Sequence, residues 1–252
     1  MVDSNSRAKQ ANGVRRHTLA DEVYDRLRLQ LMTGKLLPGQ KLTLRAVADQ
    51  FGTSMMPVRD AVRRLTAEGG LQMFPNRTIR VNSPSPEKFS EILKIRSSLE
   101  GLATEIACRQ MSDATLEKVQ VLVAQFEKEG QKLRPNPTIM SRINRDLHFT
   151  VYRAAKQPLL LDMIESLWVQ VAPALSLTMR YTTRGVSQWE SFKHHARLAQ
   201  SLVRRDPVKA RQAIVADIRD AGAFILRSGA LEMMSNETPD VGPKPRRTQH
   251  RL

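Results

Sequence analysis

Between residues 18 and 34, apolar side chains return every fourth position, at Leu19, Val23, Leu27 and Leu31, with Tyr24 beside them. This spacing predicts an amphipathic helix. Gly34 is placed to end it, and Pro38-Gly39 to turn the chain. A second, short helix is predicted over 43–51, with Thr43 as N-cap and Gly52 closing it. A third is predicted over 54–68. There Val58, Ala61, Val62 and Leu65 fall at i, i+3, i+4 and i+7, Ser54 or Thr53 caps the start, and Pro57 sits in the first turn, where proline is tolerated. Short strands at 71–73 and 79–81 flank Pro75-Asn76-Arg77, which predicts a small hairpin. Ser83-Pro84-Ser85-Pro86 then breaks the pattern, because proline restricts both itself and the residue before it. Beyond it the periodicity is helical only. Six helices are predicted, over 86–110, 113–131, 137–155, 158–180, 187–204 and 207–229.

This order of elements predicts a mainly α chain of two domains. A winged helix-turn-helix with a β-hairpin wing occupies 18–83, and an all-helical bundle occupies 86–231. The polar, basic ends, 1–17 and 236–252, read as disordered tails. The chain carries a net charge of +15, and its net charge per residue is about twice as dense in the first 83 residues as in the rest. Such a balance points to a polyanionic partner. The single cysteine, Cys108, excludes an intramolecular disulfide and fits a reducing compartment. The first residues lack an apolar signal core, and no uncharged apolar run reaches the ~18 residues that a membrane helix needs. A cytoplasmic protein with no membrane partner is expected.

In the first domain the third helix is the one that would enter a DNA major groove. Its outward positions include Ser54, Met55, Met56, Arg59 and Arg63. Arg59, near the helix start, can reach guanine O6 and N7 with two hydrogen bonds. Arg45 on the second helix is in reach of a base or a phosphate. The Ser54 hydroxyl can bond a phosphate, aided by the helix N-terminus, and Arg77 at the hairpin tip can enter the minor groove. The bland reading of the same positions is a solvated basic face. Pro38-Gly39-Gln40-Lys41-Leu42, Ala46-Val47-Ala48, Pro57-Val58-Arg59-Asp60-Ala61-Val62-Arg63-Arg64-Leu65 and Glu68-Gly69 resemble the GntR-family winged helix-turn-helix. The resemblance implies DNA contact through Arg45, Ser54, Arg59 and the wing around Arg77. The chain departs from that pattern at three positions. Met55 stands where the family often has a DNA-touching arginine, Gly70 where it has a leucine, and Thr78 where it has a glycine at the wing tip. Threonine resists positive φ, so the wing turn is expected to differ.

In the second domain the informative residues are polar ones on apolar stripes. Over 137–155 the stripe is Met140, Ile143, Leu147 and Val151, and Asn144 and His148 fall on it, four apart and so on one face. Over 187–204 the stripe is Phe192, Ala196, Ala199 and Leu202. His195 falls on it, with His194 about 100° away. Over 207–229 the stripe is Ala210, Ile214, Ile218, Ala221 and Ile225, and Asp217 falls on it. A buried carboxylate is costly unless paired or bound to metal. Two imidazoles, a carboxylate and an amide oxygen can enclose a divalent ion and leave open positions. A buried His–Asp polar network is the rival. Arg96 and Glu100 also lie on a stripe, with Phe89, Leu93, Leu99 and Ala103. They read either as a buried ion pair or as a two-point grip by Arg96 on a ligand carboxylate.

Arg96-Ser-Ser-Leu-Glu100, Asn144-x-x-x-His148 and His195 eleven residues before Asp206 resemble the helical FCD effector domain of the FadR-type GntR branch, over roughly 86–230. The resemblance implies a divalent metal (zinc, nickel or manganese) that holds a small carboxylate effector. Asn144, His148 and His195 match three of the family's ligand positions, and Asp217 stands where the family has a third histidine. Together these readings predict a non-enzymatic regulator, a repressor, acting as a homodimer on a palindromic double-stranded operator. Two other readings stand beside it. One is a metal-dependent enzyme with a DNA-binding appendage, for which the sequence supplies no base or nucleophile beside the three-ligand site. The other is a nonspecific DNA-coating protein.

Overall fold

The computed structural model describes residues 17–74, 78–181, 190–229 and 231. The two predicted tails, apart from His17, lie outside the described residues, as do Arg77 and the first turn of the helix predicted from 187. Helix α1 (Leu19–Met32) starts at a capping box, in which Thr18 and Asp21 satisfy each other's backbone N–H groups. It buries Val23, Tyr24, Leu27, Leu31 and Met32, while Leu19 in its first turn is exposed. Helix α2 (Leu44–Phe51) begins where Thr43 accepts from the Ala46 N–H, and ends at Gly52 with φ 66°. That left-handed turn favours glycine. Helix α3 (Met55–Ala67) buries Val58, Ala61, Val62 and Leu65, the stripe expected from the periodicity, and packs on α1 and α2.

Three strands follow the order β1-β3-β2, with β1 at Lys41–Leu42, β2 at Leu71–Met73 and β3 at Ile79–Val81. The hairpin pairs Leu71 with Val81 and Met73 with Ile79, and β1 adds antiparallel to β3 with Leu42 opposite Ile79. The two-residue β1 strand went unseen in the sequence. Two residues carry no readable alternation, and the strand exists only because β3 offers it an edge. The Thr78 carbonyl accepts from the Phe74 N–H at 2.9 Å, which holds the two strands together at the start of the wing.

After the proline-rich break come α4 (Pro86–Gln110), α5 (Asp113–Gly130), α6 (Pro137–Ala154), α7 (Pro158–Tyr181), α8 (Glu190–Val203) and α9 (Pro207–Arg227). Ser85, Ser112, Asn136 and Asp206 each cap the following helix with a side-chain oxygen. Helix α9 lies along both α4 and α8, and α5 packs on α6 and α8. Helix α7 contacts α1, α4, α6 and α9. Its stretch Pro158–Leu177 is long and apolar enough by length and composition to cross a membrane, with mean hydropathy 1.3. The apolarity has a simpler origin: Trp168, Val169, Val171, Ala172, Ala174 and Leu177 are buried in the protein's own core.

Helix α7 also joins the two halves of the molecule. Arg28 on α1 pairs with Glu165 on α7 at 2.5 Å. Gly34 has φ +64°, and a Cβ there would lie 2.1 Å from the Ser176 Cβ. Gly70 is explained by the same packing, since its Cβ would meet Val169 Cγ1 at 2.3 Å. The leucine that the family resemblance leads one to expect at 70 has no room beside α7. Gly70 therefore tightens the base of the wing against the helical half.

Candidate DNA-reading face and buried histidine–aspartate cavity

On the winged half, Arg45, Ser54, Met55, Arg59 and Arg63 are all exposed. Ser54 is the N-cap residue of α3, but its hydroxyl makes no capping hydrogen bond. Arg45, Arg59 and Arg63 form no ion pair or hydrogen bond among the described residues, whereas their neighbours are engaged. Arg26 pairs with Glu22 and lies over the Phe51 ring, Arg28 bonds Glu165, and Arg64 bonds Asp21 while stacking 3.8 Å over the Tyr24 ring. Helices α2 and α3 thus present unpaired guanidinium groups outward, beside Met55 and Met56, which are 51% and 81% exposed.

On the helical half, α6, α8 and α9 bring His148, His195 and Asp217 together. Each is at most 5% exposed, and one ligand atom from each lies within 4.8 Å of the others. The His148 Nε2 is 3.2 Å from Asp217 Oδ2, and the His195 Nε2 is 3.7 Å from the same oxygen. The remaining lone-pair positions are orphaned. The Asp217 Oδ1 and both ring nitrogens of His195 are buried without a hydrogen-bond partner. Unpaired buried polar groups are rare and costly. Burial opposes the ionised form of Asp217. The charge of His195 and the closeness of both rings outweigh it, and hold the carboxyl well below the usual carboxylate range. Asn144, half-buried one turn before His148, lines the same cavity. The four residues picked from apolar stripes therefore do converge. Their donor set suits a divalent cation: two imidazole nitrogens and a carboxylate within reach of one another, with Asn144 on the same cavity wall as His148 and Asp217.

Arg96 and Glu100 on α4 form the floor of this site. The Arg96 Nε and Nη2 donate to Glu100 at 2.5 and 3.1 Å, so the ion-pair reading holds for these two nitrogens. The guanidinium lies 4.7 Å over the Trp168 ring. Only Nη1 is left without a partner. Glu100 occupies the Nε/Nη2 edge of the fork, which leaves Nη1 and the second N–H of Nη2 on the other edge. Sequence reasoning missed Tyr152 and Trp168, both buried and both bonded to Glu100. Aromatic residues on an apolar face look like core, and only the fold shows where their polar atoms point. Burial, with the Glu100 carboxylate, pushes the Tyr152 phenol well above its ordinary value, so it keeps its proton.

His194 also departs from expectation. It is buried at 4% exposure and bonds Asp220 at 2.7 Å, while Ala196 on the expected stripe is exposed. Helix α8 lies between α5 and α9 and so buries two flanks rather than one. Glu190, His194 and Asp220 form a second cluster, but its two carboxylates are exposed and Glu190 is bonded to Lys193.

The cavity is lined by Arg96, Asn144, His148 and Asp217, with Trp168, Ser176 and Met179 from α7 and Met32 from the end of α1. Its volume is about 40 Å³, a few times the ~10–15 Å³ that one water needs in the same measure. A winged helix with unpaired arginines, joined through one helix to a bundle with a buried polar cavity, is the architecture of a DNA-binding transcriptional regulator. Comparison with known proteins agrees. Residues 19–81 match the bacterial regulatory proteins of the gntR family, and residues 91–220 match the FCD domain. The chain is 31% identical over 158 residues to the HTH-type transcriptional regulator McbR of Escherichia coli, covering 63% of this chain and 71% of that protein. It is 28% identical over 200 residues to the probable D-xylose utilization operon transcriptional repressor of Paenarthrobacter nicotinovorans, covering 79% and 85%. The structure of E. coli McbR superposes with a TM-score of 0.76 at 25% identity, over 84% of this chain and 98% of that one. The chain belongs to the gntR family of transcriptional regulators, in the branch with a C-terminal FCD domain. All of these relatives are transcription regulators, which places the chain among regulators rather than enzymes.

Proposed function

We propose that the protein is a repressor whose operator binding is set by a small carboxylic acid in the helical half. Arg45, Ser54, Arg59 and Arg63 contact the operator, with Met55 against the groove and the wing around Arg77 and Thr78 beside it. Two copies would read a palindrome, each through its own α3. Residues 18–83 act as the DNA-binding domain and 86–231 as the effector-binding and dimerisation domain, in the cytoplasm where the operator lies.

The observation that carries the effector reading is the pair of buried, partnerless atoms Asp217 Oδ1 and Arg96 Nη1 on residues that line one cavity, with the partnerless ring nitrogens of His195 beside Asp217. Asn144, His148, His195 and Asp217 would hold a divalent ion such as zinc, nickel or manganese. When bound, such an ion supplies positive charge for an anionic ligand. Arg96 Nη1 adds a second cationic contact, and the apolar side chains of Met32, Trp168 and Met179 favour an acid with a small apolar body. The size of the cavity argues against a long acyl chain. The cavity reaches Met32 of α1, and Ser176 on its wall abuts Gly34. A ligand there can favour one placement of the winged half over another, and its effect on DNA affinity equals its differential affinity for the two.

The test is the metal content of purified, untagged protein by elemental mass spectrometry, before and after chelation. Near one divalent ion per chain is expected, with thermal stability lost on chelation. No metal, even after reloading, would favour the second reading, a metal-free pocket in which Asp217 is bonded to His195 within a buried His–Asp network. The approach of His148 Nε2 at 3.2 Å and His195 Nε2 at 3.7 Å to Asp217 Oδ2 supports that version.

A further inference from the structure

The groups behind His148 neither read DNA nor line up as ligands, yet their hydrogen bonds carry a direction. The Glu100 carboxylate is met by four donors. Oε1 accepts from Arg96 Nε at 2.5 Å and Trp168 Nε1 at 3.1 Å, and Oε2 accepts from Arg96 Nη2 at 3.1 Å and Tyr152 Oη at 2.5 Å. Guanidinium and indole N–H groups are donors only. With its oxygens so occupied, Glu100 has no proton to give, and the single phenolic proton of Tyr152 points to it. The Tyr152 oxygen must then accept in its other hydrogen bond, which runs 2.9 Å to His148 Nδ1. His148 therefore carries a proton on Nδ1. In the neutral ring this leaves the Nε2 lone pair turned towards Asp217 Oδ2, 3.2 Å away, with His195 close by. Two lone pairs at that separation repel unless a proton or a metal cation lies between them.

We propose that Tyr152 is a positioning residue. Oriented by Glu100, it holds the proton of His148 on Nδ1 and so presents Nε2 as a ready ligand. The geometry has a cost that supports it. Arg96, Glu100, Tyr152 and His148 are each at most 2% exposed, and burying such a chain is unfavourable unless every member is satisfied. Within it the unsatisfied atoms are Arg96 Nη1 and His148 Nε2, on the two members that line the cavity. This inference rests on the reading of His148, His195 and Asp217 as a divalent-cation site, and its test separates the two.

The test uses the full-length chain and its Tyr152→Phe variant, which removes one oxygen and keeps the ring that packs on His148 and Phe149. Zinc alone is the probe, titrated against a chelating dye, with far-UV circular dichroism to report the fold. Outer-shell partners of metal-bound histidine typically matter by about 10–100-fold in metal affinity, and a loss in that range is expected for Tyr152→Phe. Equal zinc affinity in both proteins would overturn the positioning role while leaving the cation site standing. The second readout is the histidine side-chain ¹⁵N spectrum of the wild type, which needs no variant. A proton on His148 Nδ1, with and without zinc, is expected, and an unprotonated Nδ1 overturns the proposal. Should the wild type bind no zinc but show the Nδ1 proton, the cation reading fails and the Tyr152 orientation survives as a property of the fold.

Discussion

Arg59 shows how much a single side chain can be asked to do. It lies on the first turns of α3, exposed, with no partner among the described residues, while Arg64 one turn later is bonded to Asp21 and stacked on Tyr24. Desolvating an unpaired guanidinium against a guanine edge breaks no existing bond in the protein. A bidentate contact of this kind contributes ~1–3 kcal/mol of discrimination. Arg59→Ala is expected to weaken operator binding by roughly 5- to 150-fold while changing affinity for random DNA far less, measured by fluorescence anisotropy at one fixed salt concentration. Equal losses on both DNAs would make Arg59 a phosphate contact instead. Arg64→Ala acts on the fold, because its partners lie within the domain.

At the scale of elements, the helical half depends on how one helix hands over to the next. Glu129, 6% exposed near the end of α5, accepts from the Asn136 N–H at 2.9 Å and is paired with Lys132. Asn136 in turn caps α6, the helix that carries Asn144 and His148. Burial works against the Glu129 carboxylate, but Lys132 and the Asn136 N–H prevail and lower its pKa below the ordinary value. A depressed folded-state pKa contributes stability above the unfolded value, near 4.3, and that contribution disappears as pH falls through the folded value. Glu129→Gln is therefore expected to lower stability by about 1–2 kcal/mol at neutral pH. The difference from wild type should shrink as pH is lowered below about 4, followed by urea denaturation. A gap that stays constant with pH would show that the charge of Glu129 contributes nothing.

At the scale of the molecule, the cavity lies against the joint where α7 meets the winged half. Gly34 is the tightest point of that joint. Its φ of +64° disfavours any side chain, and a Cβ would lie 2.1 Å from Ser176. Gly34→Ala is expected to cost about 2–4 kcal/mol in stability, from ~1–2 for the left-handed backbone and the rest for overpacking. It should also shift operator affinity while leaving metal content unchanged. Unaltered operator binding in a folded Gly34→Ala variant, with effector response intact, would remove this joint from the regulatory path. Coupling between sites in proteins is typically 1–3 kcal/mol, so a displaced joint is enough to abolish it.

Much of this was legible in the amino-acid order, and the reason is local. Helix starts and stops are written in short-range chemistry: Thr43 as a cap, Pro57 in a first turn, Gly52 as a stop, and Ser83-Pro84-Ser85-Pro86 as the break between the halves. Periodicity then placed Asn144, His148, His195 and Asp217 on inward faces, because a polar residue on an apolar stripe stands out whatever the stripe packs against. Other features were decided only by packing at a distance. The β1 strand needed β3. Gly70 needed Val169 across the joint, and the burial of His194 needed α9 beside α8. The direction of the Glu100–Tyr152–His148 chain needed three helices and Trp168, since a hydrogen bond has a direction only when all its neighbours are known. Sequence alone determined the elements and the residues facing inward. Tertiary structure decided which of those inward residues meet, which of their atoms are already spent, and which remain open for a ligand.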